Sequence, residues 1–295
     1  MISIIISSAN AEQLKQVTKN ITATIGVPFE IISTDNSHGE KGICEIYNRG
    51  AKTAKYDILC FMHEDVSIHT QDWGNKVIST FADNPKLGLI GIAGTAYKPI
   101  SPSGWEGIGA INLYINIIQS YKYIKKEPDT IYINPTNEGL PRVACVDGVW
   151  LCTPKKVALE YPFDEALFKG FHCYDIDFSF SVAQAYEIAV TYDVLLNHFS
   201  EGNYGRAWVD ENIKLHKKWI HYFPVNLQGL ANKEQIKAEK ITFKSYVDKL
   251  IKLNYPTKAA YTVLFMGNKY WSLSPNLFFK LGFYTLKRYL KLVKV

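Results

Sequence analysis

The chain opens on a β-branched run, ISIIIS (Ile2 to Ser7), that stops abruptly at SSAN. A short continuous apolar run bounded by turn formers predicts a strand buried on both faces. Beyond it, AEQLKQVTKNI sets Leu14, Val17 and Ile21 at helical spacing. FEIIST (Phe29 to Thr34) predicts a second strand, and DNSHGEKG, rich in turn formers, a loop. Ile43 to Ala54 reads as a helix facing Ile46, Tyr47 and Ala51 inward, and DILCFM (Asp57 to Met62) as a third strand. The order β-α-β-α-β with continuous apolar strands predicts an α/β fold, a mostly parallel sheet flanked by helices.

The pattern continues with a helix over Trp73 to Phe81 and a glycine-bearing strand over Leu87 to Gly94. From 98 to 140 it loosens, and INLYINII fits either a strand or a short helix. Strand character returns over Arg142 to Pro154 and Ile188 to His198, with helices over Ile176 to Ala185 and Val209 to Trp219. No internal repeat or low-complexity linker interrupts the chain. The expected organisation is an α/β unit over 1–225 and a helical, basic extension over 226–295.

Composition narrows the class. With 295 residues, 47% hydrophobic and 21% charged, the chain can bury a full core as a globular protein. The net charge of +5 is too small for a nucleic-acid binder, but Lys269 to Val295 carries only basic charges. There Phe279, Phe283, Leu286, Leu290 and Val293 alternate with lysines. This pattern fits an amphipathic helix on an anionic membrane, and equally a terminal helix packed on the domain or a second subunit. Five cysteines without CxxC spacing argue against a disulfide framework or a zinc site. The N-terminus lacks the basic region of a signal peptide, and no run reaches the ~18 apolar residues of a membrane span. The expected address is cytoplasmic, with the tail offering peripheral contact at the inner face of the membrane.

In open α/β sheets, ligands bind beyond the carboxyl ends of the strands. Strand 1 ends at Ser7, strand 2 at Asp35 and Asn36, and strand 3 in His63, Glu64 and Asp65, so these polar ends should share one rim. A carboxylate and imidazole there can hold Mg²⁺ or Mn²⁺ against a diphosphate. Taken alone, a strand ending in Asp is common, and HED reads better as the start of a loop that caps the helix beyond it.

EIISTDNS and YNRGAKTAKYDILCFMHEDV resemble the nucleotide-binding strand and the metal-binding stretch of inverting family 2 glycosyltransferases of the GT-A fold, with Asn48, Gly50 and Ala54 at matching offsets. The resemblance implies that HED replaces the family's DXD motif. Asp65 then takes the metal position, His63 stands where an Asp meets ribose or metal, and Ser7, Asp35 and Asn36 complete a nucleotide site. VDGVWLCTP resembles the segment lining the sugar and acceptor pocket, which implicates Asp147, Gly148 and Trp150. GFHCYDIDFSFSVAQAYEIAVTY resembles the EDxDL stretch. There Tyr174 replaces the Glu, and Asp175 matches the catalytic base. LLNHFSEGNYG resembles a late loop that adds a metal or phosphate contact, His198. The resemblance implies a transferase using a nucleotide-sugar, UDP-sugar favoured, and a glycan or lipid-linked acceptor in surface polysaccharide synthesis.

Plain structural readings stand beside several of these residues. Asp177 suits a helix first turn, Trp150 a core, Asp147 a turn and His198 a loop contact. Two other functions stay open. A sugar nucleotidyltransferase would need a Gly-rich basic loop after strand 1, which SSANAEQLK lacks. A catalytically silent nucleotide- or sugar-binding domain is compatible with the lost Asp of DXD and the lost Glu before Asp175.

Overall fold

The computed structural model describes residues 1–106 and 112–290. In chain order these form β1 (Ile2–Ser8), α1 (Ala11–Thr24), β2 (Phe29–Asp35), α2 (Ile43–Thr53), β3 (Ile58–Met62), β4 (Val66–Ile68) and α3 (Trp73–Asp83). Next come β5 (Leu87–Gly91), β6 (Ala93–Thr95), β7 (Tyr97–Lys98), β8 (Leu113–Gln119), β9 (Asp129–Ile133), β10 (Cys145–Val146) and β11 (Trp150–Pro154). The rest comprises α4 (Lys155–Glu160), α5 (Tyr174–Val182), β12 (Glu187–Val190), β13 (Leu196–His198), α6 (Arg206–Lys218) and β14 (Val225–Asn226), then α7 (Asn232–Lys252), α8 (Thr257–Phe265), α9 (Lys269–Leu273) and α10 (Pro275–Tyr289).

The main sheet has the order β12-β5-β11-β3-β1-β2. β1 runs parallel to β2 and β3, and β12 to β5, while β11 is antiparallel to both neighbours. Side chains alternate across it, as strand geometry requires. Ile5 and Phe61 enter one buried cluster; Ile4, Ile6, Cys60 and Met62 enter the other. Helix α2 lies close on β1 because Gly50 carries no side chain: a Cβ there would sit 2.5 Å from Ile5 Cγ2. Asn48 clamps the same helix to the chain at Phe163, donating to its carbonyl and accepting from its amide, both at 2.9 Å.

A smaller second sheet, β10-β6-β8-β13-β4 with β9 beside β8, was not foreseen from the sequence. The strand expected over Leu87 to Gly94 divides at Ile92, and β6 turns into this second sheet. The expected Ile188–His198 strand likewise divides into β12 and β13, and Arg142–Pro154 into β10 and β11. INLYINII resolves as strand β8 from Leu113 onwards; Ile111 lies outside the described residues.

Because β11 is antiparallel, its start faces the ends of its parallel neighbours. Trp150 pairs with Met62, and the His63 amide donates to the Val149 carbonyl at 3.0 Å. Asp147 and Gly148 therefore reach the same rim as HED. From the second sheet, β13 pairs with β4 and sets His198 opposite Val66, one residue past Asp65.

Helices α7 to α10 continue the core: Phe243, Val247, Leu264 and Leu281 are buried in the cluster that contains Phe61 and Phe178. No helix among the described residues is long and apolar enough to cross a membrane. Val293 of the tail lies outside the described residues.

Candidate active site

The rim surrounds a cavity of about 390 Å³ whose wall includes Ser7, Asn36, Asp65, Asp147, Asp175 and His198. At its floor His63, Asp65 and His198 each offer one ligand atom, all within 4.8 Å of one another. His63 Nδ1 stands 3.9 Å from one Asp65 oxygen, and His198 Nε2 3.7 Å from the other.

The protons on both imidazoles follow from their other contacts. Tyr174 Oη lies 3.1 Å from the Gly148 carbonyl and 2.9 Å from His63 Nε2. Among the described residues no other donor reaches that carbonyl, so the single phenol proton goes there. The phenol oxygen therefore accepts from His63 Nε2–H, leaving the lone pair of Nδ1 towards Asp65. The Gln119 amide nitrogen donates to the carbonyls of Ser120 at 2.6 Å and Ser200 at 2.9 Å, which turns its oxygen to His198 Nδ1 at 3.3 Å. His198 thus carries its proton on Nδ1, and its Nε2 lone pair faces the cluster. That Nε2 is buried and has no hydrogen-bond partner. Two imidazole lone pairs and a carboxylate converging on one point form a donor set that fits a divalent cation. Burial, against the pull of Asp65, brings the His63 pKa down to about 4, so its ring is in the neutral, ligating form. Burial pushes the Asp65 carboxyl up, but the Ser200 hydroxyl and the charge that either histidine carries when protonated outweigh it and hold it below its ordinary value.

Asp175 opens helix α5, and its Oδ2 accepts from the Gly148 amide at 3.1 Å. Asp147 accepts from the Val149 amide at 2.7 Å. Burial raises both carboxyls, and the charge of Asp175 raises Asp147 further. Gly148 between them is obligatory in this packing: a Cβ would lie 2.1 Å from Tyr174 Oη.

Other residues singled out from the sequence are placed differently. Trp150 is not in the cavity wall: it is fully buried, with its ring edge-on to Trp73 at 6.0 Å, because β11 turns it to the far face of the sheet. Asp35 sits exposed at the end of edge strand β2, outside the wall, accepting from the Ser37 amide at 2.9 Å. Asn36 faces the cavity, but its side chain staples the following loop by bonding Lys41 through both its carbonyl and its amide. Glu64 braces the turn between β1 and α1, accepting from Ser8 Oγ at 2.6 Å and the amides of Ala9 and Asn10 at 2.9 Å, while Asn10 caps the helix. Asp177 is structural, held by Lys218 Nζ at 2.7 Å and Trp219 Nε1 at 2.7 Å.

Sequence reading missed Gln119 and Ser200, which orient His198 and Asp65. It also missed an aromatic wall of Phe171, Tyr204 and Trp208 beside Trp105. Ser200 had a signal, its place in the HFSEGN segment. Gln119 had none, since only the pairing of β8 with β13 sets it opposite His198.

A family model described as "Glycosyltransferase like family" matches residues 1–246. The fold is similar to the crystal structure of GalNAc-T7 with UDP, GalNAc and Mn²⁺, with a TM-score of 0.50 and 11% identity over 87% of this chain. The match spans 58% of the GalNAc-T7 chain. The S. aureus TarS 1–349 structure in complex with UDP-GlcNAc aligns over 98% of this chain and 92% of its own, at 10% identity and a TM-score of 0.48. No curated protein sequence matches.

Proposed function

Since the chain belongs to the Glycosyltransferase like family and has the GT-A architecture, we propose that this glycosyltransferase is a metal-dependent, inverting enzyme. It moves a sugar from a uridine diphosphate donor to a hydroxyl of a glycan or lipid-linked acceptor, in the cytoplasm and in the service of surface polysaccharide synthesis. The observation that carries this reading is the orphaned His198 Nε2, aimed with His63 Nδ1 at the Asp65 carboxylate.

His63, Asp65 and His198 hold Mn²⁺ or Mg²⁺, with the two nitrogen donors favouring Mn²⁺. When bound, the cation offsets the charge that develops on the departing diphosphate. Ser7 and Asn36, which line the same cavity, would take the nucleotide on the β1–β2 side, with Asp35 at the outer edge for the base or ribose. The UDP and Mn²⁺ of the GalNAc-T7 structure favour a uridine donor within this fold.

Asp175 receives the proton of the acceptor hydroxyl as that oxygen attacks the anomeric carbon and the bond to the diphosphate breaks. A single displacement from the face opposite the leaving group inverts the centre. Asp147, Gly148 and Tyr174 shape the sugar pocket, and the ring wall of Trp105, Phe171 and Tyr204 suits the apolar faces of an acceptor sugar. Catalysis is assigned to residues 1–225, the segment that contains every residue given a role here, with 226–295 as a helical extension.

Calorimetric titration with UDP, GDP and dTDP, each with Mn²⁺ and with EDTA, tests the donor site. Metal-dependent UDP binding that disappears in Asp65→Ala is the expected result. Turnover of a UDP-sugar that is lost in Asp175→Asn, with UDP binding kept, separates an enzyme from a silent binding domain. Failure of every nucleotide in both conditions overturns the proposal.

A further inference from the structure

Helix α10 has two apolar faces. Leu277, Leu281 and Thr285 are buried against the body of the protein. Phe279, Phe283 and Leu286, spaced i, i+4 and i+7, with Leu290 one residue past the helix end, lie roughly on the opposite side of a helix that turns about 100° per residue. These four are 44% to 63% exposed. The surface extends beyond the helix: Phe279 meets Trp271 at 5.7 Å, Trp271 meets Phe278 at 5.6 Å, and Phe278 meets Phe265 at 5.2 Å. Trp271 and Phe265 are themselves exposed. Large aromatic and aliphatic groups forming one continuous outward surface mark an interaction site.

Charge selects the occupant. Every charged residue from Lys249 to Val295 is basic. Lys287 Nζ lies 4.5 Å from the centre of the Phe283 ring, and Lys280 sits one residue past Phe279. A second copy of this chain would bring lysines against lysines. An anionic surface meets them with opposite charge. The helix has 15 residues, so it spans only about 22 Å and is too short to cross a bilayer core of about 30 Å. An aromatic and aliphatic face edged by lysines is the composition of a helix lying in the plane of a membrane.

We propose that this face docks the protein on an anionic lipid bilayer, with Phe279, Phe283, Leu286 and Leu290 at the acyl boundary and Lys280 and Lys287 among the headgroups. Docking is independent of the donor reading, since none of these residues lines the cavity.

The test is sedimentation of the full chain with vesicles of phosphatidylcholine, with and without phosphatidylglycerol. Binding is expected to the anionic vesicles alone and to weaken with salt. Lys280→Gln with Lys287→Gln should reduce it by more than about tenfold. Phe279→Ser with Phe283→Ser and Leu286→Ser should abolish it while the melting temperature and Mn²⁺-dependent UDP binding stay unchanged. Equal binding to both vesicle types, or sedimentation with neither, overturns the proposal. So does a solution dimer that the triple serine variant splits, which would make the face a contact between copies.

Discussion

The Tyr174 hydroxyl stands 2.9 Å from His63 Nε2 and fixes which nitrogen of that ring faces Asp65. Tyr174→Phe keeps the ring packed edge-on to Tyr47 at 5.7 Å but removes this contact. Partners of a ligating histidine are worth roughly tenfold to a hundredfold in metal affinity. Mn²⁺ affinity should fall about tenfold with little change in melting temperature. An unchanged affinity in a Mn²⁺ titration would show that Tyr174 does not set the His63 tautomer.

Gly148→Ala attacks the same assembly from below. Its new Cβ would lie 2.1 Å from Tyr174 Oη and 2.5 Å from Cζ, so the whole ring must move and not merely its hydroxyl. Overpacking of this kind costs about 1–3 kcal/mol. The expected outcome is a lower melting temperature together with weakened Mn²⁺ binding. Because the ring carbon also clashes, adding Tyr174→Phe should restore stability only in part.

Burial, opposed by amides that include Gly148, pushes Asp175 up to about 6. A base must be ionised to take a proton, so kcat/KM should fall tenfold per pH unit below about 6. An ordinary carboxylate would delay that fall to near pH 4. His63, at about 4, stays neutral over most of the interval. Asp147, raised to about 7 by burial and by the charge of Asp175, titrates beside that residue, so the limb belongs to the pair. A rate profile at saturating Mn²⁺ measures the limb. Asp175→Asn should remove about 10²–10⁴ of the rate while leaving UDP affinity intact.

The features legible in the sequence were those carried by local pattern. β1, β2 and β3 announced themselves as unbroken apolar runs, and their polar ends meet at one rim because parallel strands all finish on the same side. The second sheet stayed hidden because β4, β6 and β13 have three residues each and are stabilised by partners far along the chain. Gln119 is the sharpest instance. Nothing in LYINIIQ distinguishes it until β8 pairs with β13. Trp150 shows the converse error: it adjoins the pocket segment, but strand alternation turns it to the opposite face of the sheet from the Phe178 cluster. The sequence presents Asp177 as a first-turn acid, whereas in the fold its carboxylate is held by Lys218 and Trp219, partners more than forty residues away.

Glu239 tests how the C-terminal helices are fastened. Fully buried on α7, its carboxylate accepts from Tyr97 Oη at 2.7 Å, the Ile100 amide at 3.1 Å and Tyr270 Oη at 3.3 Å. Burial, opposed by these donors, raises its pKa from 4.5 to about 7. Between those values the folded chain keeps a proton that the unfolded chain has released. The unfolded state then binds fewer protons, so stability falls as pH rises through this window. The contribution is fully present below about pH 4.5 and is lost by about pH 7, a change of roughly 3 kcal/mol at 1.36 kcal/mol per unit. Asp147 and Asp175, also raised, act in the same direction, so the slope of the wild type alone does not isolate Glu239. Glu239→Gln does, because it removes one titration and leaves the other two. Denaturant midpoints at about pH 5 and pH 7.5 should converge more in Glu239→Gln than in the wild type. Equal pH slopes in the two proteins would mean that the donors around Glu239 keep it ionised throughout, and that its charge is a fixed part of the joint between α7 and the loop at Ile100.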